Sequence, residues 1–124
     1  MCGRVRGASY VMKVALTISK LVSKYKIPFI FKSSYKKANR SRPDSFTSIG
    51  DEKGLGILKK VSEKFNIPVL PDVHSPEEAI LAAKYVDVLQ IPAFLAWQTE
   101  LLVASAETGK WVNIKKVNSC LLNL

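Results

Sequence analysis

The segment Leu21–Lys32, LVSKYKIPFIFK, recurs in altered form 40 residues later as VSEKFNIPVLPD, Val61–Asp72. Each copy reads as the end of an amphipathic helix, an aromatic residue, Ile-Pro, and a short apolar strand. Ahead of the first strand, Val11, Val14, Ala15, Ile18, Leu21, Val22 and Tyr25 fall on one face of a helix. Leu55, Leu58, Val61 and Phe65 do the same ahead of the second. Beyond it, Ser75 suits an N-cap, Pro76 the first helical position, and Glu78 a capping box, so a helix is predicted to about Tyr85. VDVLQIPAF then reads as a strand, Gln98 to Thr108 as a helix stopped by Gly109, and WVNIKK as a last strand. Helix and strand alternating four times predict an α/β fold with parallel strands.

Two architectures satisfy that alternation: an open doubly wound sheet, or part of a (β/α)8 barrel. No glycine-rich phosphate fingerprint follows any strand, which disfavours the dinucleotide-binding form of the first. What the strands share is a polar residue near each C-terminal end: Lys32, Asp72, Gln90 and Lys115. A barrel collects such residues on one rim, where its chemistry sits. The expectation is a partial (β/α)8 TIM barrel of about four parallel βα units over residues 11–116, flanked by tails at 1–10 and 117–124.

With 124 residues the chain suffices for one modest domain, and 48% hydrophobic residues mark it as globular. No apolar run reaches the ~18 residues that span a bilayer, and no clean cleavage site follows the basic start, so neither a membrane segment nor a signal peptide is expected. Cys2 and Cys120 lack metal-ligand neighbours and read as free thiols of a reducing, cytoplasmic compartment. Nineteen Lys and Arg against ten acids give a net charge of +9, which favours anionic partners. Nucleic acid is a weak candidate, because no binding motif is present and aromatics do not interleave the basic residues.

Five of those basic residues fall in twelve positions, FKSSYKKANRSR, Phe31–Arg42, directly behind an apolar strand. Taken with PDVHSPEEA, DVLQIPAFLAWQTELLVASAETGK and VNIKK, this segment resembles the 3-deoxy-D-manno-octulosonate 8-phosphate synthase family, whose KANRS and QIPAFL…QT elements appear here in order. The related 3-deoxy-arabino-heptulosonate 7-phosphate synthases share the barrel and usually lack KANRS; they are the alternative within the enzyme class. The resemblance implies condensation of phosphoenolpyruvate with D-arabinose 5-phosphate and release of phosphate. It implies that Lys32, Lys37 and Gln90 hold the phosphoenolpyruvate carboxylate, and that Lys115 and the backbone N–H of Ala93 take its phosphate. Asn39 would contact the sugar hydroxyls, Arg40 and Ser41 the sugar phosphate, and Asp72 the reacting end of the sugar; Lys37, Asn39 and Asp72 are the expected catalytic residues. Two phosphorylated substrates explain the cations: fixed positive charge binds them and stabilises the transition state.

The chain departs from the family pattern at Lys36, Arg42, Thr47-Ser48 and Pro71, and most at Trp97, where the family carries a phosphate-binding arginine. His74, the only histidine, reads as a polar strand-end residue. Some family members use a divalent metal, but the ligand positions do not match here, so no metal or other cofactor is expected. A family homo-oligomer and self-association of an incomplete barrel are expected, as is a copy that is incomplete or inactive. Phosphoenolpyruvate or sugar-phosphate binding without turnover is the rival reading.

Overall fold

A computed structural model describes residues 8–34 and 48–116, with side chains from residue 52 onward in the second span. Helices α1 (Ala8–Tyr25) and α2 (Ser48–Phe65) both end on the aromatic residue of the repeated segment. The next residue turns left-handed, Lys26 at φ 52° and Asn66 at φ 51°. The isoleucine after it donates its N–H back into the helix, Ile27 to the Val22 carbonyl at 3.2 Å and Ile67 to the Ser62 carbonyl at 3.3 Å. This is the long bond of a Schellman cap. Asparagine tolerates that conformation well, whereas lysine bears about 1–2 kcal/mol of Cβ repulsion there. Pro28 and Pro68 then release the chain into the strands.

Those strands are β1 (Phe31–Lys32), β2 (Val69–Leu70), β3 (Val88–Ile91) and β4 (Trp111–Ile114). Helices α3 (Pro76–Ala83) and α4 (Thr99–Glu107) follow β2 and β3, the latter after a 3₁₀ turn at Ala93–Leu95. β1 pairs with β2 in parallel, Phe31 opposite Val69, and β3 pairs with β4 in parallel, Val88 opposite Trp111. A parallel bridge between Asp72 and Gln90 joins the two pairs. It is sealed by Gln90 N–H to the Pro71 carbonyl and Val73 N–H to the Gln90 carbonyl, both 2.9 Å. The four strands therefore lie side by side in chain order. The α/β class with parallel strands is as expected, although β1 and β2 pair over only two residues each, shorter than their apolar runs.

Strand alternation sorts the side chains onto two faces. Phe31, Val69, Val73, Leu89 and Ile91 form one buried core with Val11 and Ala15 of α1, Leu55, Leu58 and Val61 of α2, Ala79 and Ala82 of α3, and Leu101 of α4. All four helices thus cover the same face. The opposite face carries Lys32, Ser34, Asp72, Gln90 and Asn113 together with Val88 and Trp111. Among the described residues no helix packs on it, and Trp111 is 81% exposed. Among the described residues no helix is long and apolar enough to cross a membrane.

Helix α3 begins as its sequence dictates: the Ser75 hydroxyl accepts from Glu78 N–H at 3.2 Å, with Pro76 at the first turn. The Glu78 carboxylate reaches one residue further back than a capping box requires, to the His74 N–H at 3.0 Å. The helix closes two residues earlier than expected, because Lys84 and Tyr85 bond three residues back, to Leu81 and Ala82, in a tightened last turn. Glu77 is held below the usual carboxylate range by its own backbone N–H and by Ser75. Its contribution is therefore present at neutral pH and lost as acid protonates it. Ser75→Ala should cost about 1 kcal/mol, read as a lower urea midpoint with an unchanged slope. Helix α4 ends before Gly109 at φ 71°, a left-handed position that glycine occupies without strain.

Candidate functional site

On the face opposite the helices, four polar side chains, each at or just past the C-terminal end of a strand, form a continuous row. Ser34 Oγ donates to Asp72 Oδ2 at 2.8 Å, Gln90 Nε2 donates to Asp72 Oδ1 at 2.6 Å, and Asn113 Nδ2 donates to Gln90 Oε1 at 2.9 Å. Gln90 lies opposite Asp72 on one side and Asn113 on the other, so strand register alone brings them together. Lys32, two residues before Ser34 and on the same face, sets its ammonium 3.4 Å from Asp72 Oδ2. Every donor in the row points toward Asp72.

The burial is uneven, and that decides what each residue does. Gln90 is 3% exposed, so its amide depends on protein partners for both of its ends. The Lys32 and Asp72 side chains remain 25% and 14% exposed, open enough for an anion to reach the ammonium. Asp72 accepts from a hydroxyl and an amide and faces an ammonium, so every partner it has in the row is a donor. Chemically, the row is a fixed set of donors around one carboxylate, with a cation at its edge that a bound anion can share.

Of the residues singled out from the sequence, Lys32, Asp72 and Gln90 come together. Lys115 lies one residue beyond β4, with its backbone N–H on the Ile91 carbonyl at 3.0 Å and its side chain exposed. Ala93 opens the 3₁₀ turn two residues beyond β3, so both stand at the C-terminal ends of neighbouring strands. Lys37, Asn39, Arg40 and Ser41, with Lys36, Arg42 and Thr47, lie outside the described residues, as do Cys2 and Cys120. Trp97 follows the 3₁₀ turn and is 77% exposed.

Ser34 and Asn113 were not singled out from the sequence. Ser34 looks like the first residue of a loop and Asn113 like a polar residue on an edge strand. Setting VLQI against WVNI end to end would have paired Gln90 with Asn113. His74 stands beside the row rather than in it: its Nδ1 lies 3.0 Å from Glu78 Oε2, a carboxylate only 2% exposed. The strand-end reading of His74 thus becomes a specific one, a tie between the end of β2 and the first turn of α3.

Among the described residues no three His, Cys, Asp or Glu side chains gather as metal ligands.

A family model described as the DAHP synthetase I family matches residues 1–122. The chain belongs to that family. A 2-dehydro-3-deoxyphosphooctonate aldolase of Koribacter versatilis (strain Ellin345) is 54% identical over 112 residues, 90% of this chain and 40% of that protein. Proteins of the same name from Rickettsia prowazekii (strain Madrid E) and Protochlamydia amoebophila (strain UWE25) are 50% and 46% identical, over 91% and 90% of this chain and 41% of each relative. The chain thus spans about two fifths of the length of these curated relatives. The resemblance read from KANRS and QIPAFL…QT is the one these relatives bear: their name is that of the octulosonate branch, not the heptulosonate alternative.

Proposed function

We propose that this chain carries the phosphoenolpyruvate-binding part of a 3-deoxy-D-manno-octulosonate 8-phosphate synthase, built on a partial (β/α)8 barrel. The observation that carries the reading is the convergence of Lys32, Asp72 and Gln90 across three adjacent strand ends. Three features support the barrel: the strands run in chain order, all four helices cover one face, and the polar row lies on the other. The stagger supports it too. Equivalent residues of the repeated segment are 40 apart, yet β1 pairs with residues 38 further on. Strands that wrap around an axis must slip in this way.

In the reaction proposed, C3 of phosphoenolpyruvate attacks the aldehyde carbon of D-arabinose 5-phosphate, water adds at C2, and phosphate leaves with its C–O bond broken. Lys32 and Gln90, with Lys37, would hold the carboxylate. Lys115 and the Ala93 N–H would take the phosphate of phosphoenolpyruvate. Asn39, Arg40 and Ser41 would take the sugar phosphate and its hydroxyls. Asp72, which holds three protein donors, would orient Lys32 and Gln90. The four described strands do not by themselves close a barrel of eight, and for the 124 residues taken alone we expect binding without turnover. The exposed apolar residues of β4, Trp111 and Ile114, favour self-association, and the substrates favour the cytoplasm.

Isothermal titration of the 124-residue chain with phosphoenolpyruvate, alongside a phosphate-release assay with both substrates, tests this. Saturable binding abolished by Lys32→Ala supports the reading; no binding, or binding indifferent to Lys32, sinks it. Phosphate release by the isolated chain would overturn the inactive-copy part alone. Trp97→Arg restores the cation that family members carry there, a contact of about 1.5–3 kcal/mol. It should tighten D-arabinose 5-phosphate binding by about tenfold to a hundredfold and leave phosphoenolpyruvate unchanged; equal affinities in the two forms would remove Trp97 from the site.

A further inference from the structure

We propose that Asn113 is a positioning residue: it locks the Gln90 side chain so that Gln90 meets a ligand as a donor only. The inference rests on the phosphoenolpyruvate reading for its ligand, and on the hydrogen-bond directions alone for its geometry. Asp72 accepts from Ser34 at 2.8 Å and faces the Lys32 ammonium at 3.4 Å, and an ionised carboxylate can only accept. The Gln90 atom 2.6 Å from it must then be the amide nitrogen. That fixes the other end of the amide as oxygen, which needs a donor, and the Asn113 atom 2.9 Å away must in turn be nitrogen. The polarity of the row follows from Asp72 outward, whichever way each amide is drawn.

Held at both ends, the Gln90 amide cannot rotate. Its oxygen is covered by Asn113, one N–H is committed to Asp72, and the second N–H is what remains for a ligand. An oxygen with lone pairs facing it, on a carboxylate or phosphate, is accepted; a hydroxyl or ammonium seeking an acceptor is not. Because Gln90 is nearly fully buried, water does not substitute cheaply for a lost partner. Asn113 itself, on the exposed strand β4, has room for substitution without disturbing the core.

Asn113→Asp keeps the shape and reverses the polarity. The new carboxylate faces the Gln90 oxygen with no hydrogen to give, so the amide is driven to turn an N–H toward it and away from the ligand. Asn113→Leu leaves the Gln90 oxygen bare and frees the amide to turn. Phosphoenolpyruvate titrations should give a dissociation constant at least tenfold higher for N113D and about threefold higher for N113L, with thermal midpoints within a few degrees of wild type. The Gln90 side-chain NH2 signals in a ¹⁵N–¹H spectrum should move in both variants before ligand is added. Affinity unchanged in N113D, or lost only in step with the thermal midpoint, would overturn the proposal. Should wild type bind no phosphoenolpyruvate, the functional reading fails by itself. The positioning role then stands or falls on the spectrum: displaced Gln90 signals uphold it, and unmoved signals refute it.

Discussion

Asp72→Ala is expected to abolish phosphoenolpyruvate binding and to lower stability by about 2–3 kcal/mol, the scale of a buried polar group left without its partner. The cost arises mostly at Gln90. Its N–H loses its acceptor inside the sheet, where no water compensates, while Lys32 can turn toward solvent and loses little. Binding fails for a different reason: without the carboxylate, neither the ammonium nor the amide is aimed. Asp72→Asn separates the two effects. Its oxygen still accepts from Gln90, so most of the stability should return. Its NH2 now faces Lys32, so the ammonium stays misdirected and binding stays weak. Urea unfolding and phosphoenolpyruvate titration of both variants check this; equal destabilisation by Ala and Asn would show that Gln90 is not the source.

Leu89→Ala should cost about 3 kcal/mol or more, the largest effect on stability expected from one apolar side chain here. Leu89 is 0% exposed, sits in a strand paired on both sides, and points into the core shared by all four helices. A strand held by two neighbours cannot collapse into the space its side chain vacates, so the cavity persists. For a domain with a total stability of about 5–15 kcal/mol, such a loss should appear as a large drop in urea midpoint. Ile114→Ala, on the exposed outer strand, serves as the contrast and should change the midpoint little. A Leu89→Ala protein that unfolds with the wild-type midpoint would mean that the helix layer does not seal over β3.

Much of this was legible in the sequence because it depends on period and punctuation. The helix from Val11 to Tyr25, the Ser75–Pro76 start and the Gly109 stop are local signals that the structure carries out, although the stripe meets the core only in its first half and Leu21 and Tyr25 stay exposed. Lys32, Asp72 and Gln90 were legible as strand-end polar residues because strands that run in parallel end on the same side. Ser34 and Asn113 were not, since their importance lies in register, which is decided between strands and not within one. The Glu78 carboxylate was read as half of a capping box, and the fold uses it to hold His74, a choice settled by how β2 enters α3. The short pairing of β1 and β2 was hidden as well: apolar runs show that a segment is buried, not how many of its residues bond to a neighbour.

The two helix-to-strand joints carry one more consequence. Tyr25-Lys26-Ile27-Pro28 and Phe65-Asn66-Ile67-Pro68 use the same backbone twist and the same returning N–H bond, although only the isoleucine and the proline are common to both. Geometry, rather than side-chain identity, is what each joint preserves. The joints are therefore interchangeable splice points: a helix ending in either connector can be followed by either strand without rebuilding the turn. A chain assembled from such connectors can gain, lose or exchange whole helix–strand cassettes while every remaining unit keeps its own entry angle into the sheet.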